Sequence, residues 1–340
     1  MSEPLVQTVA GLRPARSLGV VDAHDHLFLR SPALAGQELE DPARAAEEVR
    51  DGLASGLATI VEMTPIGIGR RPSLLRELAA ATGAVVVAAS GYHRDAHYPS
   101  GHWIHAADEA TLEGLVVADA ERGMHDADWL GADGGPETVE AAAARGALDR
   151  ARAGVIKAGA SYQRIGRSEA RRLAAGARAA ARTGLPLLVH AEVGTCGHEI
   201  LDAAEAAGLP ASRVLLAHLD RNPDAELHAE LAARGATLEY DTVGRIKYRP
   251  DSDLLELIEA VAAAGHLERI VLGLDLGLRE YFRAHDGGPG LGYLMRSFVP
   301  RLRRRLGDAA VERILVANPA RAFALAPDGS VALAAAGAGR

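Results

Sequence analysis

The strongest constraint on this 340-residue chain is a rhythm of eight short apolar runs, at 19–22, 58–62, 84–90, 154–157, 186–190, 213–218, 236–240 and 269–274. Most are continuous rather than alternating, as expected of parallel strands buried on both faces. The segments between them are rich in Ala, Leu, Glu and Arg and read as helices. One is predicted over 168–183, with Ser168 as N-cap and Gly184-Leu185-Pro186 as its stop. Others over 198–207 and 253–264 end at Gly208 and Gly265. Strand and helix alternating eight times predict an α/β chain, a single (β/α)8 TIM barrel. An open doubly wound sheet would carry a glycine-rich phosphate loop after its first strand, where Ala23-His24-Asp25-His26 stands instead.

No break in composition divides the chain, so one domain is predicted over 5–325, followed by a flexible Ala/Gly-rich tail over 326–340. A hydrophobic share of 48% excludes intrinsic disorder. No apolar run approaches the roughly 18 residues of a membrane span. The first ten residues lack a secretory signal, and a single cysteine, Cys196, suits a reducing compartment, so a cytoplasmic location is expected. With 37 basic against 45 acidic residues and no basic block, nucleic acid is an unsuitable partner. A small-molecule substrate, with no nucleic acid and no membrane, is the expectation.

Thirteen histidines make one His-x-His pair unsurprising by itself. Position gives the pair meaning. His24 and His26 stand just past the first predicted strand, where period-two geometry turns both side chains the same way. The fourth strand ends at Lys157, the fifth at His190, the sixth at His218 and the eighth at Asp275. Barrel enzymes place their chemistry at this carboxyl rim. Any one of these residues suits a rim hydrogen bond or a helix cap. Four imidazoles and a carboxylate converging without a cation would form a costly desolvated cluster, so a metal centre is predicted. Lys157 fits that centre only if its ammonium charge is removed, because a cation beside divalent ions is repelled. It is neutral, excluded from the site, or converted by carbon dioxide to a carbamate able to bridge two metals. Nitrogen and oxygen ligands suit zinc, the first expectation, but also manganese, cobalt and iron.

The order His-x-His, Lys, His, His, Asp on strands one, four, five, six and eight resembles the amidohydrolase superfamily, and within it the phosphotriesterase-related group. The resemblance rests on Val21-Asp22-Ala23-His24-Asp25-His26-Leu27, Gly154-Val155-Ile156-Lys157, His190-Ala191-Glu192-Val193-Gly194-Thr195, His218-Leu219-Asp220-Arg221-Asn222-Pro223-Asp224 and Ala317-Asn318-Pro319-Ala320-Arg321. It implies a binuclear centre of two divalent ions. His24, His26 and Asp275 hold the more buried ion, His190 and His218 the more exposed one, and N6-carboxylated Lys157 bridges them. A metal-bridging hydroxide then attacks carbon or phosphorus, with Asp275 accepting the proton. A homodimer is also implied. Two departures stand out. Asp25 replaces a common glutamate, pointing away from the metals. Thr242 stands where efficient phosphotriesterases carry a relay histidine, which argues against fast triester hydrolysis.

In the loops, Tyr92 is placed by the resemblance near the metals as a substrate contact. His93, His97, His102 and His105 are spaced too irregularly for a second metal site and are expected to make loop or surface hydrogen bonds. Arg245, Lys247 and Arg249 after strand seven, with Arg279 and Arg283 after strand eight, suggest an anionic substrate such as a carboxylate or phosphorylated sugar lactone. Aromatics at 4% leave few rings to grip an aryl triester. The leading expectation is a lactone or carboxylic-ester hydrolase, the alternative an organophosphate hydrolase with the same site. A metal-containing binding protein without turnover leaves the base and the rim unexplained.

Overall fold

A computed structural model describes residues 3–326. An antiparallel hairpin, β1 (Leu5–Thr8) and β2 (Gly11–Pro14), precedes the barrel. The barrel strands are β3 (Val21–Asp25), β4 (Thr59–Glu62), β5 (Val85–Gly91), β6 (Val155–Ala160), β7 (Leu187–Ala191), β8 (Val214–Ala217), β9 (Thr237–Tyr240) and β10 (Ile270–Leu272). They pair in parallel in chain order from β3 to β10. The ring is completed past β10, where the N–H groups of Leu274 and Asp275 donate to the His24 carbonyl at 3.3 and 2.9 Å. Gly273 makes this approach feasible, since a Cβ there would lie 2.8 Å from the His24 Cβ. The predicted (β/α)8 architecture is the one observed. The tail predicted over 326–340 lies outside the described residues from 327 onward.

Helices fall where the periodicity placed them, at Arg167–Thr183, Gly197–Ala206 and Asp251–Val261. The cap of the first differs from expectation. Gly166, not Ser168, is the N-cap, because the Glu169 carboxylate accepts the Gly166 N–H at 2.9 Å. That carboxylate also accepts from Ser161 Oγ and the Asp95 N–H, tying the loops after β5 and β6 together.

The strands act as parallel strands because the apolar runs are buried on both faces. Val155 and Leu188 belong to a fully buried cluster with Val61, Val87, Leu215 and Val271, and each precedes a predicted site residue, Lys157 or His190, by two positions. Period-two geometry sets those polar groups directly above an apolar floor. Among the described residues, no helix is long and apolar enough to cross a membrane.

Candidate active site

His24 comes from β3, Lys157 from β6 and His190 from β7, while His26, His218 and Asp275 stand just past β3, β8 and β10. The last two have left-handed backbones, with φ of 64° and 49°. Such conformations persist in non-glycine residues only when the surroundings hold them. Asp241 does so for His218, accepting its N–H at 2.9 Å and its ring Nδ1–H at 2.7 Å.

Each histidine in this group has one ring nitrogen held by a carboxylate or hydroxyl, and the other faces the cluster. His24 Nδ1 lies 2.5 Å from Glu239 Oε1, His26 Nδ1 2.9 Å from Thr64 Oγ1, and His190 Nε2 2.6 Å from Glu192 Oε2. A proton on the nitrogen facing the carboxylate or hydroxyl leaves the cluster-facing nitrogen with its lone pair. Those lone pairs converge. His190 Nδ1 and His218 Nε2 are 2.7 Å apart, and Asp275 Oδ1 lies 3.7 and 3.5 Å from the Nε2 atoms of His24 and His26. Neutral imidazole nitrogens gathered with a carboxylate oxygen, each histidine oriented by a partner at its other ring nitrogen, form a donor set that suits divalent metal. The ligand atoms of His24, His26 and Asp275, and those of His24, His218 and Asp241, are each close enough to share one ion. Burial drives the imidazoles of His24, His190 and His218 well below the usual histidine range, which keeps them in the neutral, ligating form.

Lys157 is buried, with Nζ 3.2 Å from His24 Nε2. Burial lowers its ammonium to about 8, against the opposing pull of Glu239, Asp275 and Asp241. The expected convergence of His24, His26, Lys157, His190, His218 and Asp275 is therefore present in one cluster. Thr242 spends its hydroxyl on Asp220 Oδ2, as it does its N–H at 2.7 Å, and so offers Asp275 no relay.

Below His26, Thr64 Oγ1 donates to Glu62 Oε1 at 2.6 Å. Burial raises the Glu62 carboxyl to about 7, against its hydrogen bonds from Thr64 and Leu27. A carboxyl raised from 4.5 to about 7 keeps its proton longer in the folded state, so stability falls as pH rises through that window. Glu62→Gln is expected to remove up to about 3 kcal/mol of this fall. Urea unfolding across the window checks it, and parallel pH profiles for the two proteins would refute it.

Above the cluster opens a cavity of about 170 Å³. Arg245 and Lys247 line it as expected, and Arg221 joins them. Arg221 Nη2 donates to Asp275 Oδ2 at 2.6 Å, and Arg245 Nη1 donates to the same oxygen. Tyr248 lies beneath both guanidinium groups, 4.6 and 5.0 Å from their central carbons. Burial alone would raise the Asp275 carboxyl, but Arg245 and the His26 contact outweigh it and hold the group well below the usual range.

Other expectations need correction. Tyr92 is fully buried in the core, its hydroxyl donating to the Leu112 carbonyl at 2.9 Å, and does not line the cavity. The next residue, His93, takes that wall with its ring 4.6 Å from His190 and stacked on His97 at 3.8 Å. Both make hydrogen bonds in the loop as expected, but they are buried and line the cavity rather than lying at the surface. The left-handed Gly91, with φ of 106°, shifts the side-chain alternation and so exchanges the two positions. Arg279 is exposed and away from the cavity, because the chain turns outward after Leu278. Arg249 is also turned aside, 3.9 Å from Asp253. Glu239, Asp241, Glu192 and Arg221 were missed, although Glu239 and Asp241 alternate at a strand end and Arg221 closely follows His218.

A model of the phosphotriesterase family matches residues 4–131 and 141–323. The chain belongs to the phosphotriesterase family. It is a hydrolase, as both the sequence resemblance and the relatives have it. A phospho-furanose lactonase of Mycoplasmopsis agalactiae is 31% identical over 335 residues, covering 93% of this chain and 90% of that protein. The crystal structure of an amidohydrolase from Mycoplasma synoviae matches with a TM-score of 0.88 at 29% identity, covering 96% of this chain and 94% of that one. A lactonase from Listeria monocytogenes matches with a TM-score of 0.82 at 25% identity, covering 95% and 99%.

Proposed function

We propose that this family member is a binuclear metal-dependent lactonase whose substrate carries a phosphate. The observation that carries the reading is the joining of two clusters in one small cavity, the lone-pair cluster and the cations Arg221, Arg245 and Lys247. A neutral aryl triester gives those cations nothing to bind, whereas a phosphorylated sugar lactone offers them a dianion. The name of the phospho-furanose lactonase relatives supports the same substrate class.

His24, His26 and Asp275 would hold one ion and His190 and His218 the other, with Lys157, once carboxylated, supplying further anionic oxygens. Carboxylation balances simply: neutral Nζ attacks carbon dioxide, an N–C bond forms, and one proton leaves to solvent. Bound divalent ions supply Lewis acidity and activation of water at neutral pH. Asp275 takes the proton as water adds to the lactone carbonyl carbon, and the ring oxygen receives a proton as the C–O bond breaks. Arg221, Arg245 and Lys247 hold the phosphate and so fix which face of the ring meets the site.

A rate comparison on phosphorylated lactones, neutral lactones and a paraoxon-like triester tests the reading, with enzyme of known metal content. The phosphorylated lactones are expected to be preferred. Lys247→Met should raise KM for them about tenfold, the value of one charged hydrogen bond, and change neutral lactones little. Preference for the triester, or equal loss on both lactone classes, would overturn the proposal.

A further inference from the structure

The two oxygens of Asp275 face two different clusters. Oδ1 looks toward the Nε2 atoms of His24 and His26, at 3.7 and 3.5 Å. Oδ2 takes Arg221 Nη2 at 2.6 Å and Arg245 Nη1, and Arg245 Nη1 also donates to the Asp275 carbonyl at 2.8 Å. Both arginine side chains are only 6% exposed. Their Nε atoms are buried and lack a hydrogen-bond partner, so each guanidinium retains an unused donor. Two buried cations therefore share one carboxylate, with Asp241 a further 3.6 Å from Arg221.

We infer that Asp275 couples the two clusters, so that metal binding and anion binding at Arg221 and Arg245 strengthen each other. The inference rests on the phosphate reading given above. A cation on the Oδ1 side neutralises the carboxylate that the guanidiniums now share, leaving them in need of another anion. An anion that draws the guanidiniums away returns the full negative charge of Asp275 to the metal side. Linkage makes the two effects equal. Tyr248, packed against both guanidiniums, keeps them close together as they exchange partners.

The test uses the full-length protein, stripped with a chelator and titrated with Zn²⁺ against a chromophoric competitor. Ribose 5-phosphate serves as the phosphate probe and ribose as the neutral control. Ribose 5-phosphate is expected to tighten zinc binding about tenfold, within the range usual for coupled sites, and ribose to leave it unchanged. Arg221→Met/Arg245→Met should abolish the increment, whereas Arg245→Lys, which keeps the charge, should retain most of it. An increment that survives in the double variant would mean that phosphate acts on the metals directly, and the coupling falls. Calorimetry on metal-loaded wild type separates the remaining cases. Binding of ribose 5-phosphate without any change in zinc affinity refutes the coupling alone. Absence of binding removes both the coupling and the phosphate-bearing substrate.

Discussion

Lys157→Ala is expected to yield a folded barrel that holds fewer than about one divalent ion per chain and has lost nearly all lactone hydrolysis. The physical basis is charge. Four histidines and Asp275 carry a single formal negative charge between them, too little to retain two divalent ions close together. A carbamate on Lys157 adds a second charge and two oxygens, and alanine supplies neither. The loss in kcat/KM should exceed the ~10–100-fold that outer partners of a metal site are worth, because the proposed carbamate acts as a ligand itself and not as such a partner. Lys157 sits on an apolar floor of Val155 and Leu188 that alanine leaves intact, so the fold should survive although Glu239, Asp241 and Asp275 lose a nearby cation. Metal analysis with circular dichroism checks both halves. Unchanged metal content with intact activity would remove the carbamate proposal.

The second large effect concerns stability, at a network outside the histidine cluster. Asp119 lies in the helix Glu109–Glu121, with its side chain fully buried. It accepts from Arg70 Nη1 at 2.6 Å and Nη2 at 3.3 Å, Ser90 Oγ at 2.5 Å, Trp129 Nε1 at 3.0 Å and the His125 N–H at 3.2 Å. Arg70 is equally buried and reaches Asp128 Oδ1 with Nε at 2.7 Å. Asp128 and Trp129 have left-handed φ of 55° and 59°, a strained turn that this network holds. Asp119→Ala leaves the Arg70 charge half-compensated and several buried donors orphaned, so a loss of about 3–5 kcal/mol is expected. Thermal unfolding should move down by at least about 5 °C. Pairing the change with Arg70→Met should recover part of the loss, since it removes the uncompensated cation. A double variant no more stable than Asp119→Ala would refute the charge explanation. Ser90 precedes Gly91 and the His93 wall, so the weakened protein should also bind substrate less well.

The elements that the sequence made legible share one property: each needs only local pattern. Apolar runs, most of them continuous, marked all eight barrel strands, and the polar residues at five strand ends marked the cluster that gathers at the carboxyl rim. Neither signal depends on knowing which strand neighbours which. The hairpin of β1 and β2 escaped because its two four-residue strands are too short for a period to register. Glu239 and Asp241 escaped for a different reason. Their importance lies in what they touch, His24 across 215 residues of sequence and His218 across 23. The exchange of Tyr92 for His93 shows how little is needed to mislead. Tyr92 was placed near the metals by resemblance alone, and the left-handed Gly91 just before it lies beyond what a resemblance can read.

By itself, then, the chain determined a parallel (β/α)8 barrel and the residue types at its carboxyl rim, because burial on both faces and strand ends are both written in local hydrophobicity. Tertiary structure decided which nitrogen of each histidine is free, because that follows from the carboxylate or hydroxyl tying the other one. It decided which cations face the cavity, admitting Arg221 and dismissing Arg279. It also brought Arg221 to Asp275 across 54 residues, a meeting that depends on ring closure at Gly273 and that no local pattern encodes.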